Sequence, residues 1–249
     1  MYGFLYRDLR IARPMLIASA IMLFYTILAP IFGALNLSSG QEDLTSNNLI
    51  CFICYGMNMF FAFFVQNEMH KGDEKRLPVC FAIASPAGVE GYVKSKYLSN
   101  LILPFGLMCI SLFTDLIAAA IVDVRTDEVA PTSFISMIML LFQVIILLNS
   151  IELPFMFRFG VKKGANLKSA IFISILAAAG IYFLFGDISM FGSFDDFLQF
   201  LVDVMNGKKG GTTLLALSAL LPLITLGAYY LSYLLSCKLY LKGVEQLEQ

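Results

Sequence analysis

Charged residues along this chain gather in short clusters, and the intervals between them carry none: Pro14 to Gln41, Leu44 to Asn67, Tyr97 to Thr114, Val129 to Ile151, Ser169 to Gly186 and Gly210 to Cys237. Each interval approaches the roughly 20 apolar residues with which an α-helix crosses a bilayer. The pattern predicts helices at about 14–36, 48–66, 97–122, 132–157, 168–186 and 213–237. The expected fold is all-α: a polytopic membrane protein with six transmembrane helices in a single domain, 1–249.

Composition agrees. Only 14% of residues are charged and 59% are hydrophobic, whereas a soluble domain carries about 25% charged residues. A net charge of −1 gives no sign of a nucleic-acid partner. No linker, repeat or low-complexity run is long enough to mark a second domain. The first span is too long for the core of a cleavable signal peptide, so it is expected to stay as an anchor.

Charge placement adds orientation. Arg7, Arg10 and Arg13 precede the first span, and Lys71, Lys75, Arg76, Lys94 and Lys96 fall in the 67–96 connection. Arg158, Lys162, Lys163 and Lys168 occupy 158–168, and Lys238 and Lys242 the tail, so fourteen of the seventeen basic residues share one side. Positive residues are retained in the cytoplasm. Both termini are therefore expected inside, with multi-pass insertion in a plasma membrane.

The 67–96 connection is the longest on that side, and loops of such length are commonly functional. Its end, Gly88-Val89-Glu90-Gly91-Tyr92-Val93-Lys94-Ser95-Lys96-Tyr97-Leu98, has the residue types of a phosphate-binding loop. The spacing is wrong: Gly88 and Gly91 are too close together, and Lys94 does not directly follow a glycine. Nucleotide binding by this chain is excluded on that basis. Val89, Tyr92 and Val93 instead recur at helical spacing, with Ser85 placed to cap and Pro86 to open a short amphipathic helix at the membrane surface.

Ser85-Pro86, followed at a fixed distance by Ser95-Lys96-Tyr97-Leu98, resembles a recurring element of ABC-2 type transporter permeases, which lies between their second and third spans. The chain as a whole is similar to such a permease, with its basic start, six spans, long first inner loop and short basic tail. Where that family often has Val-Ser-Arg, this sequence has Ala87-Gly88-Val89; the literal Leu77-Pro78-Val79 lies too far upstream to serve. The resemblance implies an exporter permease fold and a coupling helix docked on a separate ATPase. Ser85, Pro86, Val89, Glu90, Tyr92, Val93, Lys94 and Lys96 would form that contact. ATP and magnesium would bind the partner ATPase, with no cofactor in this chain. It further implies a bacterial cell membrane, a second permease in a homo- or heterodimer, and cargo among peptides, with lipids or small drugs equally compatible.

Other segments carry weaker signals. In residues 2–13, Tyr2, Leu5, Tyr6, Leu9 and Ala12 share one helical face opposite Arg7 and Arg10, with Phe4 and Ile11 interrupting the polar side. This suits an interfacial helix or a plain basic flank. Ser193 and Asp196 form a capping box for an outer amphipathic helix at 193–206 bearing Phe194 and Phe197. Asp115 and Glu152 are the ionisable residues closest to span interiors; with Phe194 and Phe197 they are candidates for a transport path or gate, although both acids are expected near headgroups. Asn58 and Gln143 lie deeper and suit helix bridging. Cys51 and Cys54 have CxxC spacing but no second pair, the five cysteines suggest no disulfide framework, and the single histidine, His70, falls in the inner loop. Catalytic and metal chemistry lack their parts. A non-transporting membrane scaffold that recruits a cytoplasmic partner is the alternative. An ion-coupled carrier would need midplane charges in repeated halves, which the pattern lacks.

Overall fold

The computed structural model describes residues 2–38, 44–71, 88–125, 134–185 and 211–245. Every element among them is helical: α1 (Tyr2–Ile11), α2 (Arg13–Ser38), α3 (Leu44–Lys71), α4 (Gly88–Arg125), α5 (Ile135–Phe159), α6 (Val161–Phe185) and α7 (Gly211–Glu245). Five described stretches are long and apolar enough to cross a membrane: Arg13–Asn36, Ile50–Lys71, Gly88–Ile121, Ile135–Phe159 and Leu220–Tyr240. The sixth expected span, 168–186, falls on α6, where several side chains lie outside the described residues.

Two apolar clusters fill the bundle. At one end, the near end, Tyr92, Val93, Tyr97, Leu153, Met156, Phe157 and Tyr240 join the start of α4, the end of α5 and the end of α7. At the far end, Tyr55, Met59, Leu107, Met108, Phe134 and Met137 join the start of α3, the second half of α4 and the start of α5. The outward faces of α2 and α7 stay apolar, with Ile17, Phe24, Phe32, Leu223 and Leu231 all exposed, as lipid-facing helices require. Pro30, Pro104, Pro154 and Pro222 lie inside α2, α4, α5 and α7; in membrane helices neighbouring groups re-satisfy the backbone a proline frees.

The helices run further toward the basic end than hydropathy alone predicts, and this changes three expectations. First, no separate surface helix precedes the third span from Gly88 onward: residues 88–96 are the first turns of the continuous 38-residue α4. Ser85 and Pro86 lie outside the described residues. Second, the expected 158–168 connection is a single residue, Gly160, at φ 94°. Its N–H closes α5 on Met156 O at 2.9 Å, and a positive φ of this kind is far easier for glycine. α6 then starts at once and crosses α5 closely at Gly164, where a Cβ would stand 2.9 Å from Met156 Cβ and 3.0 Å from its Cα. Third, His70 lies not in a loop but fully buried in the last turn of α3.

The outer helix expected at 193–206, with Phe194 and Phe197, lies outside the described residues.

Candidate functional site

Charges that the hydropathy pattern assigns to loops meet inside the near end of the bundle. α1 explains the first of them. Its packed face is Phe4 and Asp8, spaced at i and i+4, with Ala12 buried just past its end, while Tyr6 and Leu9 of the expected apolar face are exposed. Phe4, which interrupts the polar side in the sequence pattern, is thus part of the face that docks: its ring meets Tyr92 edge-on at 5.4 Å. Asp8 is completely buried. One carboxylate oxygen accepts Arg7 Nη2 at 3.1 Å and the other pairs with Lys96 Nζ at 2.7 Å. The Lys96 ammonium also lies 5.7 Å from the centre of the Tyr92 ring.

A second buried pair lies between α5 and α6. Lys168 Nζ meets Glu152 Oε2 at 2.8 Å and donates to Asn149 Oδ1 at 2.9 Å and Gln66 Oε1 at 3.2 Å. It also sits 4.4 Å above the Phe63 ring. Asn149 and Glu152 are three residues apart on α5 and so share a face. Gly164, one turn before Lys168, lets α6 approach closely enough for the lysine to reach them. Three donor contacts and a ring face give one ammonium a complete shell, the condition under which a buried charge is tolerated.

The two pairs are bridged. Asn100 Nδ2 donates to Lys96 O at 2.9 Å and to His70 Nε2 at 3.0 Å. Gln66 Nε2 donates to Asn100 O at 3.0 Å while its Oε1 accepts from Lys168. Charged and amide groups from α1, α3, α4, α5 and α6 are therefore neighbours, joined across α4 through its backbone carbonyls at Lys96 and Asn100.

The neighbouring face of α4 carries a neutral network. Tyr97 OH lies 2.6 Å from Ser232 Oγ and 2.7 Å from Ser236 Oγ, and Tyr229 OH donates to Tyr97 O at 2.7 Å. Ser232 donates its only hydroxyl proton to Ser150 O at 2.6 Å, so Tyr97 donates to Ser232 and accepts from Ser236.

Several sequence expectations are corrected by this arrangement. Tyr92, Val93 and Lys96, proposed as a partner-contact surface, point into the bundle and are buried; on the same turns only Glu90 and Lys94 are exposed, with Val89 half-buried. Lys96 and Lys168 are not free surface charges but paired interior ones. Asp115 and Glu152, expected near headgroups, are both buried among helices, and Asp115 Oδ2 accepts Phe134 N–H at 3.1 Å. That N–H has no partner within its own helix, and a carboxylate at a helix N-terminus is favoured by the dipole. Asn58 does bridge helices, donating to Ser111 Oγ at 2.8 Å, and Gln143 is buried on α5. Cys51, Cys54, Cys109 and Cys237 are free thiols, and the described residues contain no group of three or more metal-ligating side chains.

Asp8, Gln66, Asn100 and Asn149 did not stand out from the sequence, and His70 and Lys168 stood out only as residues of inner connections. A signal was nonetheless present. Gln66 and His70, Lys96 and Asn100, and Asn149 and Glu152 are polar pairs at i, i+3 or i, i+4 near span ends, which places each pair on one helix face.

A family model described as ABC-2 family transporter protein matches residues 3–241. No curated protein and no solved structure matches the chain.

Proposed function

The chain belongs to the ABC-2 transporter family and is a permease component of an ABC transporter; on that premise we propose that it is the membrane subunit of an exporter driven by separate ATPase subunits. Six spans with both termini in the cytoplasm place the charged network at the inner end. A second permease completes the path, and the ATPases dock at the 67–96 connection and the exposed start of α4. ATP and magnesium belong to the ATPases. The observation that carries the proposal is the family match over nearly the whole length of an all-helical membrane chain.

Because Tyr92 and Val93 are core residues, the docking test falls on the exposed pair, Glu90→Lys with Lys94→Glu. Native chain purified in mild detergent is expected to bring down a soluble ATPase, identified by mass spectrometry and by nucleotide hydrolysis. The double variant, inserted at native level, is expected to retain less of it. Native preparations without any ATPase would sink the proposal and favour the scaffold alternative.

A further inference from the structure

Two of the hydrogen bonds between helices fall on backbone oxygens that a proline has released. In an α-helix each carbonyl accepts the N–H four residues on, and proline has no N–H to give. Pro104 thus frees Asn100 O in α4, and Pro154 frees Ser150 O in α5. Both oxygens are taken by side chains of other helices. Gln66 Nε2 of α3 donates to Asn100 O at 3.0 Å, and Ser232 Oγ of α7 donates to Ser150 O at 2.6 Å. We propose that Pro104 and Pro154 are hinges and that Gln66 and Ser232 are the positioning residues that hold them, so that α4 and α5 bend when these side chains release the two oxygens.

Three features support this. A proline inside a helix removes a backbone bond and crowds the preceding turn, so the helix bends most readily there. Gln66, Asn100, Ser150 and Ser232 are all buried, and away from water a freed carbonyl depends on what a neighbouring helix offers it. The stiffness of each hinge is therefore set by one side chain on another helix.

Placement is the second feature. Pro104 falls between Tyr97 of the near cluster and Leu107 of the far one, so a bend there swings the start of α4 and leaves both clusters packed. Pro154 lies shortly before Gly160, so a bend there swings the end of α5 with the closely joined start of α6. The two swinging ends touch, with the Tyr92 and Phe157 rings 6.2 Å apart.

The third feature is a cross-connection. Gln66, which holds α4, accepts Lys168 Nζ of α6 at 3.2 Å through its Oε1. Ser232, which holds α5, accepts Tyr97 OH of α4 at 2.6 Å. Each holding side chain is thus oriented by the part of the bundle that the other hinge moves, and release of one loosens the other.

The consequence for transport rests on the permease proposal: a push on the first turns of α4 would bend it at Pro104 and carry the α5–α6 turn along. The hinges themselves are testable without any ATPase. On a full chain with its native cysteines replaced, spin labels are placed at the exposed positions 139 and 159 across the α5 hinge, or 94 and 113 across the α4 hinge. Ser232→Ala is expected to broaden the 139–159 distance distribution in detergent. Pro154→Ala, which gives Ser150 O an N–H of its own helix, is expected to narrow it again, whereas Pro104→Ala is not. Gln66→Met and Pro104→Ala form the matching pair for 94–113. A distribution that stays narrow without the side chain overturns the inference, as does broadening that the matching proline variant leaves in place. Should Pro154→Ala fail to insert, Ser232→Thr keeps the hydroxyl and is expected to stay narrow; a broad distribution there overturns the inference too. Melting gives a second reading. The loss caused by Ser232→Ala is expected to be smaller by about 2–4 °C on the Pro154→Ala background than on the native one. Equal losses would mean that the serine only braces α7, and the hinge assignment fails. A chain that retains no ATPase yet shows the reversible broadening sinks the permease proposal and leaves the hinges standing.

Discussion

Two faces of α4 solve the problem of polar groups inside a membrane bundle in opposite ways. Toward α1, α3 and α6 it presents Lys96 and Asn100, part of a network built on two ion pairs. Toward α5 and α7 it presents Tyr97, part of a network of hydroxyls and carbonyls. The adjacent residues 96 and 97 thus stand in different electrostatic regimes. A hydroxyl cluster is satisfied by small local geometry and loses one or two modest bonds when a member is removed. An ion pair leaves a bare charge behind, so its cost is set by what remains.

The largest expected effect follows from that asymmetry. Lys168→Met leaves Glu152 buried with its counter-charge gone, and uncompensated pairs of this kind cost about 3–5 kcal/mol. The expected outcome is a steep fall in thermal stability in detergent and early proteolysis. Lys168→Met with Glu152→Leu replaces both charges by apolar groups of similar size and is expected to recover most of the loss. If the single variant proves as stable as the native chain, the distinction between the two faces collapses.

Tyr97→Phe is the matching test on the neutral face. It removes one hydroxyl from between Ser232 and Ser236 while keeping the ring against Tyr229 and Tyr233, at centroid distances of 5.0 and 5.5 Å. Side-chain hydrogen bonds between membrane helices contribute about 0.6–1.7 kcal/mol, so a melting shift well below that of Lys168→Met is expected. A loss equal to that of the lysine variant would show the hydroxyl cluster, not the charges, to be the tighter tie.

The same contrast explains what the sequence revealed. Charge-free intervals located the membrane-crossing stretches because the transfer cost of apolar surface is additive along the chain and needs no knowledge of neighbours. The status of Lys96 and Lys168 was hidden for the opposite reason. A lysine at a span end reads identically whether it snorkels to headgroups or is paired inside, and the difference lies with Asp8 and Glu152 on other helices. Counting both lysines as surface charges also displaced the helix boundaries, since α4 and α6 begin about two turns before the intervals that hydropathy assigned to them. Gly160 and Gly164 held the clue that α5 and α6 are closely joined. A lone glycine pair in a basic stretch has no fixed meaning until its φ and its contact with Met156 are known.

The smallest effect is expected on the third face of α4, which meets neither network. Glu90 and Lys94 share that face, four residues apart in the first turns, and both are exposed. Exchanging their charges keeps an i, i+4 pair of opposite sign, although Glu before Lys is the better order and suits the helix N-terminus. Stability should therefore change by no more than about 0.5 kcal/mol, with insertion and melting close to native. Tyr92→Asp, two residues from each, places a carboxylate among Phe4, Phe157 and Tyr240, whose ring centres lie 5.4, 6.2 and 5.6 Å from that of Tyr92. It is expected to lower stability strongly. The pair of measurements separates a surface free for a partner from a core that only carries the motion. Equal melting losses in the two variants would mean that the first turns of α4 have no free face, and the docking assigned to Glu90 and Lys94 would have to move elsewhere on the chain.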